Sequence, residues 1–397
     1  MVLILSTMHD FDNTQIAFEY KSKYELKKAL LLFKMVGSSL LVKISKVLVN
    51  IALALRIPVA WAIKPTIYAH FCGGESIDES MPVVRKLEPF KIRAILDYSV
   101  EGKESDEDIR AALNETLETI RSGGTDTNIP FAVFKPTAFT TAEVLEKMST
   151  GAEVTDQRIL AEANKFRERV NTLCQEAYNH NIPILIDAED SWYQLFIDQV
   201  CEDMMLKYNH KQAIVYNTLQ MYRTDRLEYL EEAHERAIKG NYFMGIKFVR
   251  GAYMEKERER AEKMSYPDPI NPTKEATDKM YDDGLRYTME HLDRISVFNG
   301  SHNEASNHLL TQLIEEKGLE RSDSRIWFSQ LFGMSDNISF NLASEGYNVA
   351  KYLPFGPVKH VLPYLIRRAE ENTAVAGQTS RELELIKQEL NRRKKEK

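Results

Sequence analysis

Residues 352–372 have the sequence Tyr-Leu-Pro-Phe-Gly-Pro-Val-Lys-His-Val-Leu-Pro-Tyr-Leu-Ile-Arg-Arg-Ala-Glu-Glu-Asn. The segment predicts a short strand, a Gly-Pro turn and an amphipathic helix. The helix carries a ring, two guanidiniums and a carboxylate on one face, at i, i+3, i+4 and i+7: Tyr364, Arg367, Arg368 and Glu371. Adjacent guanidiniums beside a ring are typical of a carboxylate or phosphate site, although a solvated, salt-bridged helix face has the same pattern.

The same alternation of strand and helix patterns begins at about residue 90. Helical patterns such as 156–181 and 223–239 separate eight apolar runs, which are 93–100, 131–135, 183–187, 213–219, 244–249, 295–298, 325–329 and 348–352. Strands that alternate with helices indicate βαβ units and a parallel sheet. Eight repeats over about 270 residues predict an α/β chain with a (β/α)8 TIM-type barrel, and a doubly wound sheet is the alternative.

The predicted barrel, residues 90–375, lies between an N-terminal helical arm, residues 1–89, and a C-terminal helical tail, residues 376–397. A tail that ends Arg-Arg-Lys-Lys-Glu-Lys is most often solvated or frayed. Within the arm, residues 20–70 hold nine Lys or Arg against one acid, Glu25, with apolar blocks between the charges. This pattern predicts basic amphipathic helices, which pack as an arm on the neighbouring domain, contact an anionic membrane surface, or do both.

The charge, the cysteines and the N-terminal sequence limit the kinds of partner and the cellular compartment that we expect for this chain. A net charge of −7 and a pI near 5.8 argue against nucleic acid as the main partner. The three cysteines, Cys72, Cys174 and Cys201, have no metal-ligand spacing and are expected to be idle thiols in a reducing compartment. The N-terminus carries Asp10 and Asp12 but no basic region, so no clear secretory signal or mitochondrial presequence is predicted. We expect the cytoplasm, or the cytoplasmic face of the inner membrane, of a bacterium.

Polar residues follow the predicted strands, at the end where a barrel of this class builds its active site. Lys135 ends the second run and Asp187 ends the third, so the two are expected to pair across the barrel mouth. A lysine beside an acid also suits a Schiff-base lyase or aldolase that uses no cofactor. A non-catalytic membrane-surface scaffold is a third interpretation. The chain has no G-x-G-x-x-G after a strand, no Walker loop, no H-E-x-x-H and no G-x-S-x-G, which argues against the enzymes that use them.

Seven motifs together resemble the proline dehydrogenase family, most closely its stand-alone, mitochondrial-type branch. They are Phe-Lys-Pro-Thr at 134–137, Ile-Leu-Ile-Asp-Ala-Glu at 184–189, Asn-Thr-Leu-Gln-Met-Tyr at 217–222, Val-Arg-Gly-Ala-Tyr at 249–253, Ser-His-Asn at 301–303, Gln-Leu-Phe-Gly-Met at 330–334 and the segment from Tyr352 to Arg368. The resemblance covers about residues 90–375. It implies an FAD enzyme that oxidises L-proline to 1-pyrroline-5-carboxylate and passes electrons to a quinone, with peripheral contact to an anionic membrane.

The resemblance also assigns roles to individual residues. The substrate carboxylate would be bound by Arg367, Arg368 and Lys135, with Asp187 orienting Lys135, and the proline ring would lie against Tyr352 and Tyr364. Residues along the isoalloxazine of FAD would be Gln220, Lys247, Val249 and Arg250. The ribityl, phosphate and adenosine parts would be held by Gly251, Ala252, Ser301, His302, Asn303 and Glu371, with Lys274 as a phosphate contact.

Overall fold

The computed structural model describes residues 10–38, 59–99, 105–374 and 378–396, apart from the side chains of residues 370–379. It contains two compact units: the middle unit, residues 102–329, and the terminal unit, residues 7–101 and 330–397. The domain bounds expected from the sequence, at residues 89 and 375, stay predictions.

Eight strands form one sheet in the order β1-β8-β7-β6-β5-β4-β3-β2, which is the strand order of the (β/α)8 class. Their bounds are β1 Ile92–Tyr98, β2 Ala132–Phe134, β3 Ile184–Ile186, β4 Val215–Gln220, β5 Met244–Val249, β6 Ile295–Gly300, β7 Ile326–Leu331 and β8 Val349–Phe355. Pairing is parallel from β2 through β7 and between β1 and β8. The predicted (β/α)8 fold is confirmed, and every predicted run overlaps one of these strands.

Sixteen α-helices lie among the described residues. They are α1 Thr14–Phe18, α2 Lys23–Val36, α3 Ala60–Ile63, α4 Ala69–Phe71, α5 Ile77–Leu87, α6 Asp106–Thr125, α7 Ala142–Met148, α8 Gln157–Asn179, α9 Ser191–Tyr208, α10 Arg226–Gly240, α11 Met254–Met264, α12 Lys274–Glu290, α13 Glu304–Glu316, α14 Asp336–Ser344, α15 Val358–Ala374 and α16 Gln378–Lys395. A π-helical turn, Lys64–Tyr68, connects α3 to α4. None of these helices combines the length and the apolar character that crossing a bilayer requires.

Aromatic packing fills the core of the middle unit. The Phe131 ring lies edge-on to three others, with centroids 5.0 Å from Phe298, 5.2 Å from Trp327 and 5.6 Å from Tyr216. Edge-to-face pairs at these distances contribute about 0.5–1.5 kcal/mol each beyond their burial. These rings and the fully buried strand β4 form the packed core of the sheet. The candidate site lies at the carboxyl ends of these strands.

In the terminal unit, β1 pairs with β8 over seven positions, from Ile92 opposite Val349 to Tyr98 opposite Phe355. Gly356 follows with φ of 137°, a backbone conformation that favours glycine, and α15 begins at Val358. The predicted strand, Gly-Pro turn and helix are therefore confirmed.

The C-terminal tail is a packed helix, so the expectation of a solvated or frayed tail is wrong. Leu385, Ile386 and Leu390 of α16 are buried in one cluster with Leu26 and Phe33 of α2. The fully buried Glu389 carboxylate accepts hydrogen bonds from the Thr14 hydroxyl at 3.0 Å, from Arg392 Nε at 2.8 Å and from Arg393 Nε at 2.5 Å. Composition alone misses this arrangement, because two of the terminal arginines compensate a buried carboxylate.

Of the basic segment, residues 20–70, the structure describes residues 20–38 and 59–70. Helix α2 starts with a capping box between Ser22 and Glu25, and its buried face packs against α16, which confirms that this part of the arm packs on its own unit. Residues 39–58, with Lys43, Lys46 and Arg56, lie outside the described residues.

Candidate active site

One carboxylate at the strand ends of the middle unit joins two lysines. Asp187, which follows β3, lies with Oδ1 2.6 Å from Lys247 Nζ on β5 and with Oδ2 3.5 Å from Lys135 Nζ after β2. The expected Lys135–Asp187 pair is confirmed, and the shorter contact to Lys247 is an addition to it. Two ammonium groups thus share one carboxylate, and side chains of this charge are suited to binding an anionic ligand.

A second acid, Glu189, fixes the loop after Lys135. The Glu189 carboxyl accepts one hydrogen bond from the backbone N–H of Thr137 and another from the Thr137 hydroxyl, each at 2.7 Å. Burial raises the pKa of Glu189 to about 7, against the opposing effect of these hydrogen bonds. Its role in the geometry is to hold the backbone that presents Lys135.

Polar side chains also share one face of β4 and β5. Thr218 and Gln220 alternate along β4, and Thr218 lies opposite Lys247 in the register. The buried Thr218 hydroxyl makes no hydrogen bond to any residue that the structure describes. Gln220 donates from Nε2 to the Glu189 carbonyl at 2.6 Å and accepts from the Ala252 N–H at 3.3 Å. An orphaned buried hydroxyl in a polar row is a feature that a bound polar ligand would satisfy.

The backbone after β5 approaches its neighbours closely. Val249 pairs with Gln220, and Gly251 follows with φ of 138°. A Cβ on Gly251 would lie 2.5 Å from the Tyr222 ring, so only glycine fits at this position.

Several predicted cofactor residues converge on Asp278 of α12. The Arg250 guanidinium donates to Asp278 Oδ1 at 2.7 Å and to the Ser301 hydroxyl at 2.8 Å, and Lys274 pairs with the other Asp278 oxygen. The side-chain Nδ2 of Asn303 lies 3.5 Å from Asp278 Oδ1. The backbone N–H of Asn303 donates to Ser301 Oγ at 3.1 Å. The lysine and arginine hold the pKa of Asp278 below its ordinary value despite partial burial. The structure therefore brings Arg250, Lys274, Ser301 and Asn303 into one cluster, and half-buried His302 lies between two of them in the chain.

The remaining predicted residues belong to the terminal unit. Tyr352 is buried in β8, and Tyr364 is buried in a cluster with Tyr68, Phe71 and Leu365. The Arg368 guanidinium carbon lies 5.4 Å from the centre of the Tyr364 ring, as the helical spacing predicts. Arg367 is half-buried. Glu371 lies in α15, and its side chain is outside the described part of the chain.

Sequence reasoning missed Glu189, Thr218 and Asp278 as members of these clusters. Glu189 stands in the same strand-end motif as Asp187, and Thr218 alternates with Gln220, so both had a signal in the sequence. Asp278 had none, because it lies 28 residues after Arg250, within a helix of ordinary surface composition.

Together, the (β/α)8 fold and the cationic clusters at its strand ends define a barrel protein equipped to bind anionic groups. The chain belongs to the proline dehydrogenase family, whose model matches residues 81–381. The predicted family is thereby confirmed, and with it the oxidation of proline in proline catabolism.

Individual relatives are 33–40% identical to this chain. Proline dehydrogenase 1, mitochondrial, from Dictyostelium discoideum is 33% identical, over 97% of this chain and 75% of its own length. The carbapenem antibiotics biosynthesis protein CarD from Pectobacterium carotovorum subsp. carotovorum is also 33% identical, over 81% of this chain and 83% of its own length. Proline dehydrogenase 1, mitochondrial, from Homo sapiens is 40% identical, over 58% of this chain and 39% of its own length.

A solved structure shows the same fold. Proline utilization A (PutA) from Bdellovibrio bacteriovorus, inactivated by N-propargylglycine, matches with a TM-score of 0.71 at 21% identity. The match covers 83% of this chain and 36% of that chain, so this chain spans about a third of the PutA protein.

Proposed function

We propose that the chain is an FAD-dependent L-proline dehydrogenase that forms 1-pyrroline-5-carboxylate, the first step from proline to glutamate, and passes the electrons to a quinone. The observation that carries the proposal is the Lys135–Asp187–Lys247 cluster, in a chain whose residues 81–381 match the proline dehydrogenase family. Two cations that share one carboxylate can hold an additional anion, and proline brings a carboxylate.

Carboxylate binding is assigned to Arg367, Arg368 and Lys135. The guanidinium fork binds carboxylates bidentately, and Arg368 keeps its guanidinium near the Tyr364 ring, which restricts its rotamers. Asp187 and Glu189 act indirectly, by orienting Lys135 and its loop. Tyr352 and Tyr364 supply apolar surface for the pyrrolidine ring. The catalytic contribution of these groups is positioning, which fixes the ring carbon that loses hydride.

The residues fit a flavin. Thr218 has an unsatisfied buried hydroxyl on the face that it shares with Gln220, and Lys247 is the nearest cation in register. Arg250, which Asp278 orients, would supply donors for the phosphate and ribityl groups together with Ser301 and the positive-φ backbone at Gly251. The flavin would supply the chemistry by accepting a hydride from the carbon next to the proline nitrogen.

The Schiff-base lyase is less well supported. A lysine that forms a Schiff base reacts as the free amine. Lys135 lies 3.5 Å from the Asp187 carboxylate, which favours its charged ammonium form. The geometry of Lys135 therefore suits a fixed cation better than a nucleophile.

Visible absorption of the purified protein, before and after anaerobic addition of L-proline, tests the proposal. We expect the bands of oxidised flavin and their loss on adding proline, with Arg367→Met needing more proline for the same loss. Borohydride added with a carbonyl substrate such as a 2-oxo acid gives the lyase its own readout, because a Schiff base needs a carbonyl. A colourless protein that becomes covalently modified at Lys135 would refute the flavin mechanism.

We further propose that the quinone is membrane-soluble and that the enzyme works at the cytoplasmic membrane face of a bacterium. The support is the basic segment, with nine cations against one acid over residues 20–70, in a chain whose net charge is −7. Proline-dependent reduction of a short-chain ubiquinone analogue, compared with an artificial dye, would test the acceptor.

A further inference from the structure

A groove of about 640 Å³ lies entirely within the terminal unit. We call it the rear groove, and its aliphatic walls include Leu32, Met35, Ile63, Ile67, Leu362 and Ile366. Its volume is within the range of about 300–1,000 Å³ that small-molecule sites occupy. Helix α15 contributes Leu362 and Ile366 to this groove and carries the candidate carboxylate ligand Arg367 on a different face.

Exposed hydrophobic side chains line the rear groove or adjoin residues that line it. Among the described residues of the terminal unit, four large hydrophobic side chains are nearly half exposed or more: Tyr24 at 75%, Leu31 at 61%, Met35 at 48% and Trp61 at 76%. Three of them recur at i, i+7 and i+11 on α2, so they share one face of that helix. Leu31 and Met35 also line the groove, and Trp61 precedes two lining residues in the chain. Scattered exposed hydrophobics are ordinary, but a cluster around one groove marks an interaction site.

The same region is cationic. Lys27, Lys28 and Lys34 of α2 are exposed and make no ion pair with any residue that the structure describes. The nearby acid Glu25 is already paired, with Lys86 at 2.6 Å. Burial lowers the pKa of the groove residue His70 to about 3, so its imidazole stays neutral and the inner wall keeps its apolar character. An apolar groove with unpaired cations beside it complements a ligand that has an anionic head and a hydrocarbon chain.

We propose that the rear groove binds an acyl chain of an anionic phospholipid, and that the exposed face of α2 is the membrane-contacting surface of the protein. The acyl chain lies among Leu32, Ile67 and Ile366 in the rear groove. The lysines of α2 contact the phospholipid head groups. This proposal rests on the proposed membrane association, to which it adds a defined binding site. It does not depend on the identity of the quinone or of the cofactor.

Tryptophan fluorescence with vesicles tests the membrane surface. Trp61 is exposed, whereas Trp327 is buried and Trp192 is half-buried in the middle unit. Phosphatidylglycerol vesicles with brominated acyl chains, in low salt, should quench the tryptophan fluorescence of the wild-type protein. The Trp61→Phe variant should show little of this quenching. Brominated phosphatidylcholine should quench weakly. Leu31→Glu should weaken the apparent vesicle affinity about ten-fold or more, because it places a charge at the lipid face.

Ile238→Glu is the matched control, since Ile238 is 55% exposed on α10 of the middle unit. It should bind vesicles as the wild type does. Dye-coupled proline oxidation should be unchanged in both glutamate variants, which separates a failure of lipid binding from a failure of the proposed function. Absence of quenching in the wild type, or equal losses in Leu31→Glu and Ile238→Glu, would overturn the proposed surface.

A soluble probe tests the groove itself. Cis-parinaric acid should bind saturably at one site per chain, and Ala69→Phe should weaken it about ten-fold or more by filling space at an exposed lining position. Thermal unfolding of Ala69→Phe checks that the variant is folded. If Ala69→Phe and the wild type bind the probe equally well, the proposal that an acyl chain enters the rear groove is refuted. A groove filled by another part of this chain or by a second copy would show no saturable probe binding, and that result also rejects the proposal.

Discussion

Replacing Asp187 by alanine tests the strand-end cluster most directly. The carboxylate, 13% exposed, contacts Lys247, 7% exposed, at 2.6 Å and Lys135, 18% exposed, at 3.5 Å. With an effective dielectric constant of about 20, the gross attractions are about 6 and about 5 kcal/mol, most of which offsets desolvation. Removing one partner of a buried pair costs about 3–5 kcal/mol, because the remaining charges are left uncompensated. We therefore expect Asp187→Ala to lower the free energy of unfolding by about 3 kcal/mol or more.

Urea denaturation followed by circular dichroism measures this loss, and the double variant Asp187→Ala/Lys247→Met should recover part of it by removing one uncompensated cation. The control is Glu143→Ala, which removes an exposed pair with Arg158 and should leave the unfolding midpoint nearly unchanged. Proline KM should rise in Asp187→Ala because Lys135 loses its orienting partner. An Asp187→Ala protein with wild-type unfolding free energy would show that the shared carboxylate does not stabilise the two lysines.

Four further outcomes are expected. Arg367→Met should raise the proline KM about ten-fold or more, since a charge-assisted hydrogen bond contributes about 1.5–3 kcal/mol, and an unchanged KM in steady-state kinetics would reject the carboxylate assignment. Tyr364→Ser should lower kcat/KM for proline and narrow its advantage over hydroxyproline, as comparison of both substrates would show. Burial raises the pKa of Glu382 to about 7, so its contribution to stability is full below the ordinary carboxyl pKa and falls as the pH rises through 7. Thermal unfolding of Glu382→Gln between about pH 5 and about pH 8 should therefore show a smaller fall than the wild type. In a flotation assay with anionic vesicles in low salt, Lys43→Glu/Lys46→Glu should bind more weakly than the wild type, with dye-coupled proline oxidation intact.

Local pattern was enough for the strands and for several helices. The predicted run 244–249 coincides with β5, and the helix predicted over 156–181 is Gln157–Asn179. Short apolar runs and helical spacing depend only on neighbours in the chain, which explains this agreement. The Lys135–Asp187 pair could also be predicted, because both residues end strands of one parallel sheet and such ends lie at the same edge.

The sequence by itself determined the alternation of strands and helices, the polar strand ends and the family. Only the tertiary structure decided which charges share a partner. Lys247 Nζ lies 2.6 Å from Asp187 and Lys135 Nζ lies 3.5 Å from it, although Lys135 follows the neighbouring strand β2 and Lys247 lies on β5, two strands away. Side chains distant in the chain meet through packing, which no local pattern encodes. The Arg250–Asp278 contact and the buried Glu389 of α16 are therefore features that folding alone defines.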